Sequence, residues 1–426
     1  MKKNLNKILE FIGHFFIYFS CYFNMPGFCS YLISISILKK KFYKKKIKAK
    51  KICIVLDRAI GHRDVEIIQE TTTKAPEFLF MRRSITRIIL FYFCNNKKIF
   101  FNYVKPPVNE NDYFKQSNIS RKRHEKFWSE VIFNLKNNYQ NKTLSFVTFN
   151  FTYFAEAALY AGCRNNGISV KLWHKEGIKT DLEAELEAKT WGVKFRHIFK
   201  YFTEISVYNE LVKKMFIKID KSNSKKTTVN GCPRIKDYLI KKKYNKKVNT
   251  LLFLSFDSKR GIPEYNKNKN LTWKLSYNKV IKILNELSKN KNLRIIIKRK
   301  SNSTKDINNN IDKKIKIFSK GTAKHFINQA DIIIGHNSAS TIEALVNGKY
   351  VMVPFFEKNL KLKKYLYNFN KELIYNSEKN MKKSILNLLN KKVFFPLNNK
   401  KHHKTIKYYL GNTKNTTEKY LKFLNS

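Results

Sequence analysis

The stretch ADIIIGHNSASTIEALVNGKYVMVPFF, residues 330–356, decides the fold of this chain. An apolar run ends at Gly335, small and polar residues follow, helical spacing continues up to Gly348, and an apolar run returns. This order predicts a buried strand, a loop, a helix that begins near residues 338–340, and a second buried strand. Because ligands of parallel sheets bind beyond the carboxyl ends of the strands, we expect a ligand site at residues 336–341.

Strand and helix patterns alternate along the rest of the chain. Strands are predicted at residues 51–57 (KICIVLD), 144–151 and 293–298, and for RIILFYF and KIFFNYV within residues 87–104. Residues 168–177 are predicted as a strand that leads into a polar loop, and residues 250–261 as a strand that leads into a basic loop. Helices are predicted near residues 119–138, 154–167 and 272–289. The polar stretch DRAIGHRDVE, residues 57–66, is interpreted as a loop. The alternation predicts an α/β protein with two Rossmann-like, doubly wound domains that face a cleft.

The length of 426 residues fits two such domains with extensions. We divide the chain into a helical extension at residues 1–46, an N-terminal domain at 47–240, a C-terminal domain at 241–395 and a helical tail at 396–426. The extension is rich in aromatic residues, and a run of lysines follows it.

The charge of the chain is strongly positive, with 86 Lys and Arg against 31 Asp and Glu and a net charge of +55. A basic surface suits nucleic acid, anionic lipid headgroups or phosphorylated substrates. Abundant Asn, Ile and Phe beside the lysines are typical of an A/T-rich genome, so nucleic acid is not favoured as a partner. The six cysteines form no Cys-x-x-Cys pair, which argues against a zinc knuckle or a disulfide framework and favours a cytoplasmic protein.

The N-terminal residues 8–38 are long, apolar and aromatic, and a basic cluster follows at residues 39–51. Polar residues and a proline interrupt the approximately 20 apolar residues that a membrane-spanning helix needs: Glu10, His14, Asn24 and Pro26. The segment also lacks a signal-peptide cleavage site. Two interpretations are favoured: an amphipathic segment in the membrane interface, or a helical hairpin packed on the protein's own core. A membrane-spanning helix is a third, less favoured alternative.

The loop at residues 336–341 suits a diphosphate. Its small residues allow backbone N–H groups to approach an anion, its hydroxyls are donors, and the following helix presents its positive dipole end. The loop matches neither the P-loop nor the Gly-x-Gly-x-x-Gly pattern, so a Walker ATPase or a dehydrogenase is not indicated. Alternatively, Ser340 and Glu343 only cap the helix, because they have the spacing of a capping box. Similarly, His336 could contact phosphate or be an ordinary loop histidine.

Residues 330–356 resemble the donor-binding segment of GT-B glycosyltransferases, especially those of bacterial surface-polysaccharide synthesis. The matching residues are Asp331, Ser338, Glu343, Ala344, Gly348, Val353 and Pro354. VNGCPRIKDYL, residues 229–239, is similar to a Gly-x-Pro-Arg-x-Asp segment of such enzymes and of the related CDP-glycerol phosphotransferases, with Asp237 one position late. Those relatives often carry Lys-Pro-His-Pro after the strand that corresponds to RIIIK, whereas only Lys298 matches here.

The resemblance, which covers roughly residues 200–360, implies an acceptor-binding first domain and a nucleotide-donor second domain. Helix N-termini and basic side chains would neutralise the diphosphate, so neither a metal nor a cofactor is expected, and the nucleotide-sugar is a substrate. The implied donor-binding residues are His336, Asn337, Ser338, Ala339, Ser340, Thr341, Glu343 at the ribose, Lys259, Arg260, Arg234 and Lys298.

An acceptor hydroxyl needs a general base if the reaction inverts the anomeric centre. DRAIGHRDVE and HKEG, residues 174–177, both follow predicted strands. We expect Glu176 or Asp57 to be this base, and His62 is the next candidate. Each of the three could also be an ordinary loop residue.

The expected function is therefore transfer of a sugar from a nucleotide-sugar to a surface-polysaccharide or lipid-linked glycan acceptor, on the inner face of the cytoplasmic membrane. A CDP-glycerol-type polyol-phosphate transferase or a sugar-nucleotide epimerase would use the same fold. A protein of another class, a non-catalytic basic protein that binds membrane or nucleic acid, stays as a third alternative.

Overall fold

The protein forms two compact units. The computed structural model describes residues 2–36, 38–39, 50–57, 59–94, 113–114, 119–239, 248–259, 261–262, 265, 268, 270–299, 311–390, 399–412 and 414–426. Unit 1 comprises Met1–Lys175, Ala188–Pro233 and Lys414–Ser426, and unit 2 comprises Glu176–Glu187 and Arg234–Thr413.

Within the described residues, unit 1 contains a seven-stranded sheet with the order β1-β3-β2-β4-β5-β6-β7. The strands are β1 (Leu38–Lys39), β2 (Lys51–Asp57), β3 (Glu77–Arg82), β4 (Thr143–Thr148), β5 (Ser169–Trp173), β6 (Glu204–Val207) and β7 (Thr227–Val229). The short β1 is antiparallel to β3, and the other neighbours are parallel. Strand order reverses between β2 and β4, which is where a doubly wound sheet opens a ligand crevice.

Helices of unit 1 pack on this sheet and on one another. They are α1 (Lys2–Tyr22), α2 (Pro26–Ser36), α3 (Ala59–Thr71), α4 (Arg83–Cys94), α5 (Ile119–Asn137), α6 (Ala157–Asn165), α7 (Asp181–Phe195, whose first turns belong to unit 2), α8 (Glu210–Ile219), α9 (Asn223–Lys226) and α15 (Thr416–Asn425). The predicted helices near residues 119–138 and 154–167 are confirmed.

Two predicted elements of unit 1 are wrong. RIILFYF lies within the helix α4, and the strand β3 before it was missed. The apolar run is buried nearly all round because α4 packs between β3, α1 and α5, and periodicity cannot separate such a helix from a buried strand. DRAIGHRDVE is mostly helical, because α3 begins at Ala59 and buries Val65 and Ile68 against Phe78 and Phe80. KIFFNYV lies outside the described residues.

The N-terminal segment forms two helices that pack on unit 1. Ile17, Cys21, Cys29 and Ile33 are buried, and α1 and α2 contact α4 and α5. The predicted packed hairpin is therefore present, while the alternative of membrane binding is not decided by this packing. Within the described ranges, no helix combines the length and the apolar character that crossing a membrane requires.

The C-terminal helix α15 belongs to unit 1. The ring of Tyr420 stacks on Trp173 at 4.3 Å, and its hydroxyl donates to the carbonyl of Gly231 at 3.0 Å. Lys171, buried in the sheet, donates to the carbonyl of Ser426 at 2.8 Å. The predicted helical tail is thus mostly helical in its described part, but its last helix completes the core of the first unit.

In the described part of unit 2 the sheet has six strands with the order β10-β9-β8-β11-β12-β13, and every neighbouring pair is parallel. The strands are β8 (Thr250–Leu254), β9 (Arg294–Lys298), β10 (Lys316–Phe318), β11 (Ile332–Ile334), β12 (Tyr350–Pro354) and β13 (Ile374–Tyr375). The helices are α10 (Lys274–Leu287), α11 (Ala323–Gln329), α12 (Ala339–Val346), α13 (Glu378–Leu389) and α14 (Asn399–Leu410).

Numbered from β8, this order is 3-2-1-4-5-6, the Rossmann arrangement, with the switch point between β8 and β11. The central strands are buried along their whole length, as expected for a parallel sheet with helices on both faces. The predicted α/β class with two Rossmann-like sheets is confirmed. That the two domains face a cleft, and that they divide at residues 240 and 241, stay predictions.

Candidate active site

The loop after β11 is shaped by close packing at Gly335. The N–H of Gly335 donates to the carbonyl of Met352 on β12 at 3.0 Å. A Cβ atom on Gly335 would lie 2.4 Å from the hydroxyl oxygen of Thr341, which is far inside van der Waals contact. Glycine is needed here because the first turn of α12 folds back onto the end of the strand. The break in the apolar run therefore has a steric cause.

Ser338 caps the helix α12. It is extended (φ −154°, ψ 152°), and its hydroxyl accepts the N–H of Thr341 at 3.2 Å. The Thr341 hydroxyl donates to the carbonyl of His336 at 2.8 Å. The predicted capping box of Ser340 and Glu343 is wrong, because Ser340 already lies inside the helix. Its hydroxyl is not used as the cap.

Three residues of this turn reach the surface. Ser338, Ala339 and Ser340 are half-buried, whereas their neighbours His336, Asn337 and Thr341 are buried. The first N–H groups of an α-helix have no acceptor within the helix, and the helix dipole makes this end positive. The amides and hydroxyls of residues 338–340 therefore form a partly exposed set of donors at the switch point of unit 2.

His336 is buried between aromatic rings instead of facing this surface. Its ring stacks on Phe256 at 4.4 Å and lies 4.6 Å from the ring of Trp273. Burial lowers its pKa from 6.5 to about 3, and its Nε2 has no hydrogen-bond partner in the part of the chain that the structure describes. The imidazole is consequently neutral at physiological pH and contributes no positive charge toward a phosphate.

Asn337 fixes the segment after β12. Its amide nitrogen donates to the carbonyl of Tyr365 at 2.6 Å, and its carbonyl oxygen accepts the N–H of Tyr367 at 2.9 Å. With both ends of the amide used, Asn337 holds two loops at the carboxyl edge of the sheet in one arrangement. Its predicted contact with a donor is therefore limited to its backbone.

Glu343 lies one turn into α12 and is held from two sides. Its Oε1 is 3.1 Å from Nε of Arg234, and its Oε2 accepts the hydroxyl of Tyr238 at 2.9 Å. Arg234 and Tyr238 belong to one short 3₁₀ segment, Pro233–Tyr238. Burial, and then the carboxylate of Glu343, raise the pKa of Tyr238, so this phenol remains a donor. Each carboxylate oxygen retains a second lone pair that a ribose hydroxyl could use.

The loop after β8 passes close to the loop after β11. Gly261 has φ +74°, and a Cβ there would lie 3.2 Å from Oε1 of Glu183 and 3.3 Å from Nδ2 of Asn337. The side chain of Lys259 in this loop is exposed, with Nζ 5.0 Å from the ring centroid of Tyr265. Arg260 lies outside the described residues. The structure thus brings the predicted basic loop next to the predicted phosphate turn.

Lys298 is not brought to this turn. It ends β9, which β8 separates from β11 in the sheet. Its Nζ donates to the carbonyls of Arg299 and Ser319 at 2.5 and 3.0 Å, and burial lowers its pKa. The position of β9 and these contacts favour a structural role for Lys298.

Two residues near the site were missed by the sequence analysis. Tyr238 was overlooked because its partner Glu343 lies far away in the chain. Glu183 accepts the N–H of Thr180 at 2.7 Å, and burial raises the pKa of its carboxyl. The spacing Thr180-x-x-Glu183 is a capping-box signal that could have identified the start of α7.

The predicted catalytic residues are divided between the units. Asp57 ends β2 at the switch point of unit 1, and its Oδ1 is hydrogen-bonded to Nε2 of His62 in the first turns of α3. Both side chains are partly exposed, and the imidazole also packs against Phe80 with 5.1 Å between ring centroids. Glu176 is exposed and belongs to unit 2. Burial, and to a smaller extent the charge of Glu176, raise the pKa of Glu187.

Two further polar residues of these predicted loops are buried. Asp64 is fully buried, where its Oδ2 is 2.8 Å from Nζ of Lys175 and accepts the hydroxyl of Tyr208 at 2.6 Å. His174 is buried against Phe216, with 4.9 Å between ring centroids. Burial makes them poor partners for an acceptor hydroxyl, whereas Asp57 and His62 remain accessible. Across the described ranges, no group of three His, Cys, Asp or Glu residues could hold a metal ion.

No protein-family model matches this chain, and no curated protein matches it. Among solved structures it is similar to UDP-GlcNAc 2-epimerase from Neisseria meningitidis bound to UDP-GlcNAc, with a TM-score of 0.49 and 11% identity over 88% of this chain and 99% of that one. The epimerase from Methanocaldococcus jannaschii gives 0.48 and 14% over 88% and 99%. The wall teichoic acid polymerase TagF gives 0.47 and 9% over 98% and 97%. These three TM-scores are below 0.5, and the likeness carries no residue roles.

Proposed function

We propose that this chain is a GT-B glycosyltransferase that moves a sugar from a nucleotide-sugar donor to a glycan or lipid-linked acceptor. The observation that carries this proposal is the half-buried turn at residues 338–340. It begins a helix at the switch point of a Rossmann sheet, one turn before a carboxylate that is held in place. We further propose that the reaction serves bacterial surface-polysaccharide synthesis at the inner face of the cytoplasmic membrane.

In the donor half of the mechanism, the amides and hydroxyls of Ser338 and Ser340 would hold the diphosphate. Lys259, whose loop lies beside this turn, would offset the negative charge that develops on the leaving nucleoside diphosphate. Glu343 would accept the ribose hydroxyls. This charge distribution requires no resident metal or cofactor.

In the acceptor half, His62 would take the proton of the acceptor hydroxyl while Asp57 orients the imidazole and stabilises its charged form. The freed oxygen would attack the anomeric carbon of the sugar, and the bond to the diphosphate would break. The existing hydrogen bond between Asp57 and His62 favours this pair over Glu176 as the base. Glu176 stays as the alternative base.

Epimerisation of a nucleotide-sugar or transfer of a polyol phosphate would use the same donor turn. Product analysis separates these reactions: an epimerase changes the donor alone, and a polyol-phosphate transferase releases a nucleoside monophosphate from CDP-glycerol. A non-catalytic basic protein would instead lose affinity for its partner steeply with increasing salt, independently of Ser340.

Isothermal titration of the full chain with UDP, CDP, GDP and CMP tests the donor site directly. We expect heat of binding with at least one of these nucleotides, and unchanged affinity after treatment with EDTA. Absence of heat with all four in a sample that unfolds cooperatively would remove the proposed function.

A further inference from the structure

The helices α1 and α2 have one buried side and one exposed apolar side. Ten large apolar side chains on these helices and their connection are between 40% and 64% exposed. They are Phe11, Ile12, Phe15, Phe16, Phe19, Tyr22, Phe23, Met25, Tyr31 and Ile35, and we call them the aromatic face. Single exposed apolar residues are common on soluble proteins, whereas so many on one pair of helices mark an interaction surface.

The rings of this face are packed against one another. Phe15 and Phe16 are in edge contact at 5.9 Å, and Phe19 and Phe23 lie 4.3 Å apart. The other side of α1 is fixed to the unit, because Tyr18 packs edge-on against Tyr92 of α4 at 5.4 Å. The aromatic face is therefore presented outward on a helix that is anchored from behind.

Basic residues flank the aromatic face in the sequence. Residues 1–50 contain eleven lysines, three before residue 8 and eight between residues 39 and 50, but a single acidic residue, Glu10. An exposed apolar surface whose flanking sequence is basic complements a bilayer interface that contains anionic lipid.

We propose that the aromatic face lies in the interface of an anionic lipid bilayer, with α1 and α2 parallel to the membrane plane. Trp, Tyr and Phe are favoured at this depth because their rings fit the boundary between headgroups and acyl chains. A second copy of the chain is a poorer occupant, because pairing two such faces would also bring together two strongly basic N-termini.

The helix α1, which carries most of the aromatic face, packs beside the carboxyl edge of the unit 1 sheet. Nε2 of His14, which is on the buried side of α1, lies 2.9 Å from Oγ of Ser84 in the first turn of α4. Ser84 follows the end of β3, where Arg82 is the strand partner of Asp57. The bilayer would thus lie beside the edge that carries Asp57 and His62. Resting on the proposed function, this placement favours a lipid-linked acceptor over a soluble glycan.

Flotation with vesicles tests the proposed surface. The wild-type chain and a Phe16→Ser, Phe19→Ser, Phe23→Ser variant are mixed with vesicles of phosphatidylcholine, with or without phosphatidylglycerol. We expect the wild type to float with the anionic vesicles. We expect the variant to bind these vesicles at least about tenfold more weakly than the wild type. A matched variant, Val193→Ser, Leu239→Ser, Leu360→Ser, changes three exposed apolar residues elsewhere and should float as the wild type does.

Equal flotation of the wild type and the first variant would overturn the proposal, as would equal binding to neutral and anionic vesicles. Light scattering gives a second criterion. A wild-type dimer that the first variant abolishes, without a change in vesicle binding, would assign the face to self-association. Nucleotide titration of the wild type and both triple variants separates the proposed function from the proposed membrane surface. If none of the three binds nucleotide, the proposed enzyme is rejected, while the membrane surface is still supported by flotation.

Discussion

The Nε atom of Arg234 lies 3.1 Å from Oε1 of Glu343, and the Tyr238 hydroxyl donates to the other carboxylate oxygen at 2.9 Å. Replacing Glu343 by Ala would leave the guanidinium without its charged partner in a site that is mostly shielded from water. We expect a loss of about 1–3 kcal/mol in the free energy of unfolding, measured by chemical denaturation.

Glu343→Gln separates structure from binding. The glutamine amide retains an acceptor for Tyr238, so the stability of this variant should lie between those of the wild type and the alanine variant. A ribose hydroxyl, in contrast, would lose a charged acceptor. Nucleotide affinity should fall about tenfold, measured by titration. Glu378→Gln, which breaks the more exposed pair with Lys279, serves as control and should bind normally. Unchanged affinity in Glu343→Gln would remove Glu343 from the donor site.

Ser338 and Ser340 differ in what they do for the fold. Ser338→Ala removes the cap of α12 and should cost about 1 kcal/mol in the free energy of unfolding. Ser340→Ala leaves this cap intact and should change stability by less than about 0.5 kcal/mol. Both should weaken nucleotide binding in titration. If Ser340→Ala binds nucleotide as the wild type does, Ser340 is an ordinary helix residue.

Gly335→Ala tests the close packing of the donor turn. Its Cβ would meet the Thr341 hydroxyl at 2.4 Å, so the turn must shift, and we expect a loss on the order of 1–3 kcal/mol in stability together with loss of nucleotide binding. A Gly335→Ala, Thr341→Ser variant removes the methyl group that lies 2.9 Å away and should recover part of the stability. Gly192→Ala is the control, because its nearest neighbour would be 4.0 Å away.

The pair of Asp57 and His62 is expected to act as one unit in catalysis. His62→Asn and Asp57→Asn should each lower kcat about 10²–10⁴-fold, measured as release of the nucleoside diphosphate in the presence of acceptor. The double variant should be little slower than the worse single variant, because the two residues serve one proton transfer. Nucleotide affinity should stay unchanged. A large loss in Glu176→Gln with normal rates in both Asp57 and His62 variants would move the base to Glu176.

The buried His336 makes stability dependent on pH. Its pKa is lowered from 6.5 to about 3, so the folded chain holds the neutral form and the unfolded chain binds a proton first. Its contribution is complete above pH 6.5 and is lost as the pH falls toward about 3. The maximum slope is about 1.4 kcal/mol per pH unit. His336→Phe should reduce the loss of unfolding free energy between pH 7 and about 5, measured by denaturation. If the variant loses as much unfolding free energy over this range as the wild type, other groups cause the pH dependence.

The alternation of residues 330–356 was sufficient to predict β11, α12 and β12, because each apolar run and each glycine acts locally. Periodicity failed for α4, whose residues are buried on nearly all sides. The capping residue was misassigned for a related reason. Two serines two positions apart are both compatible with a cap, and only the packing of Thr341 against Gly335 selects Ser338.

The sequence by itself determined the class of the fold and the position of the turn at residues 336–341, because local patterns of apolar residues, glycines and helix starts fix strands, loops and helices. Only the tertiary structure decided which side chains of that turn face outward. It buried His336 between Phe256 and Trp273, joined Glu343 to Arg234 and Tyr238 across more than a hundred residues, and paired Asp57 with His62. These relationships depend on strand order and packing, which place residues together that are distant in the chain or ambiguous in local pattern.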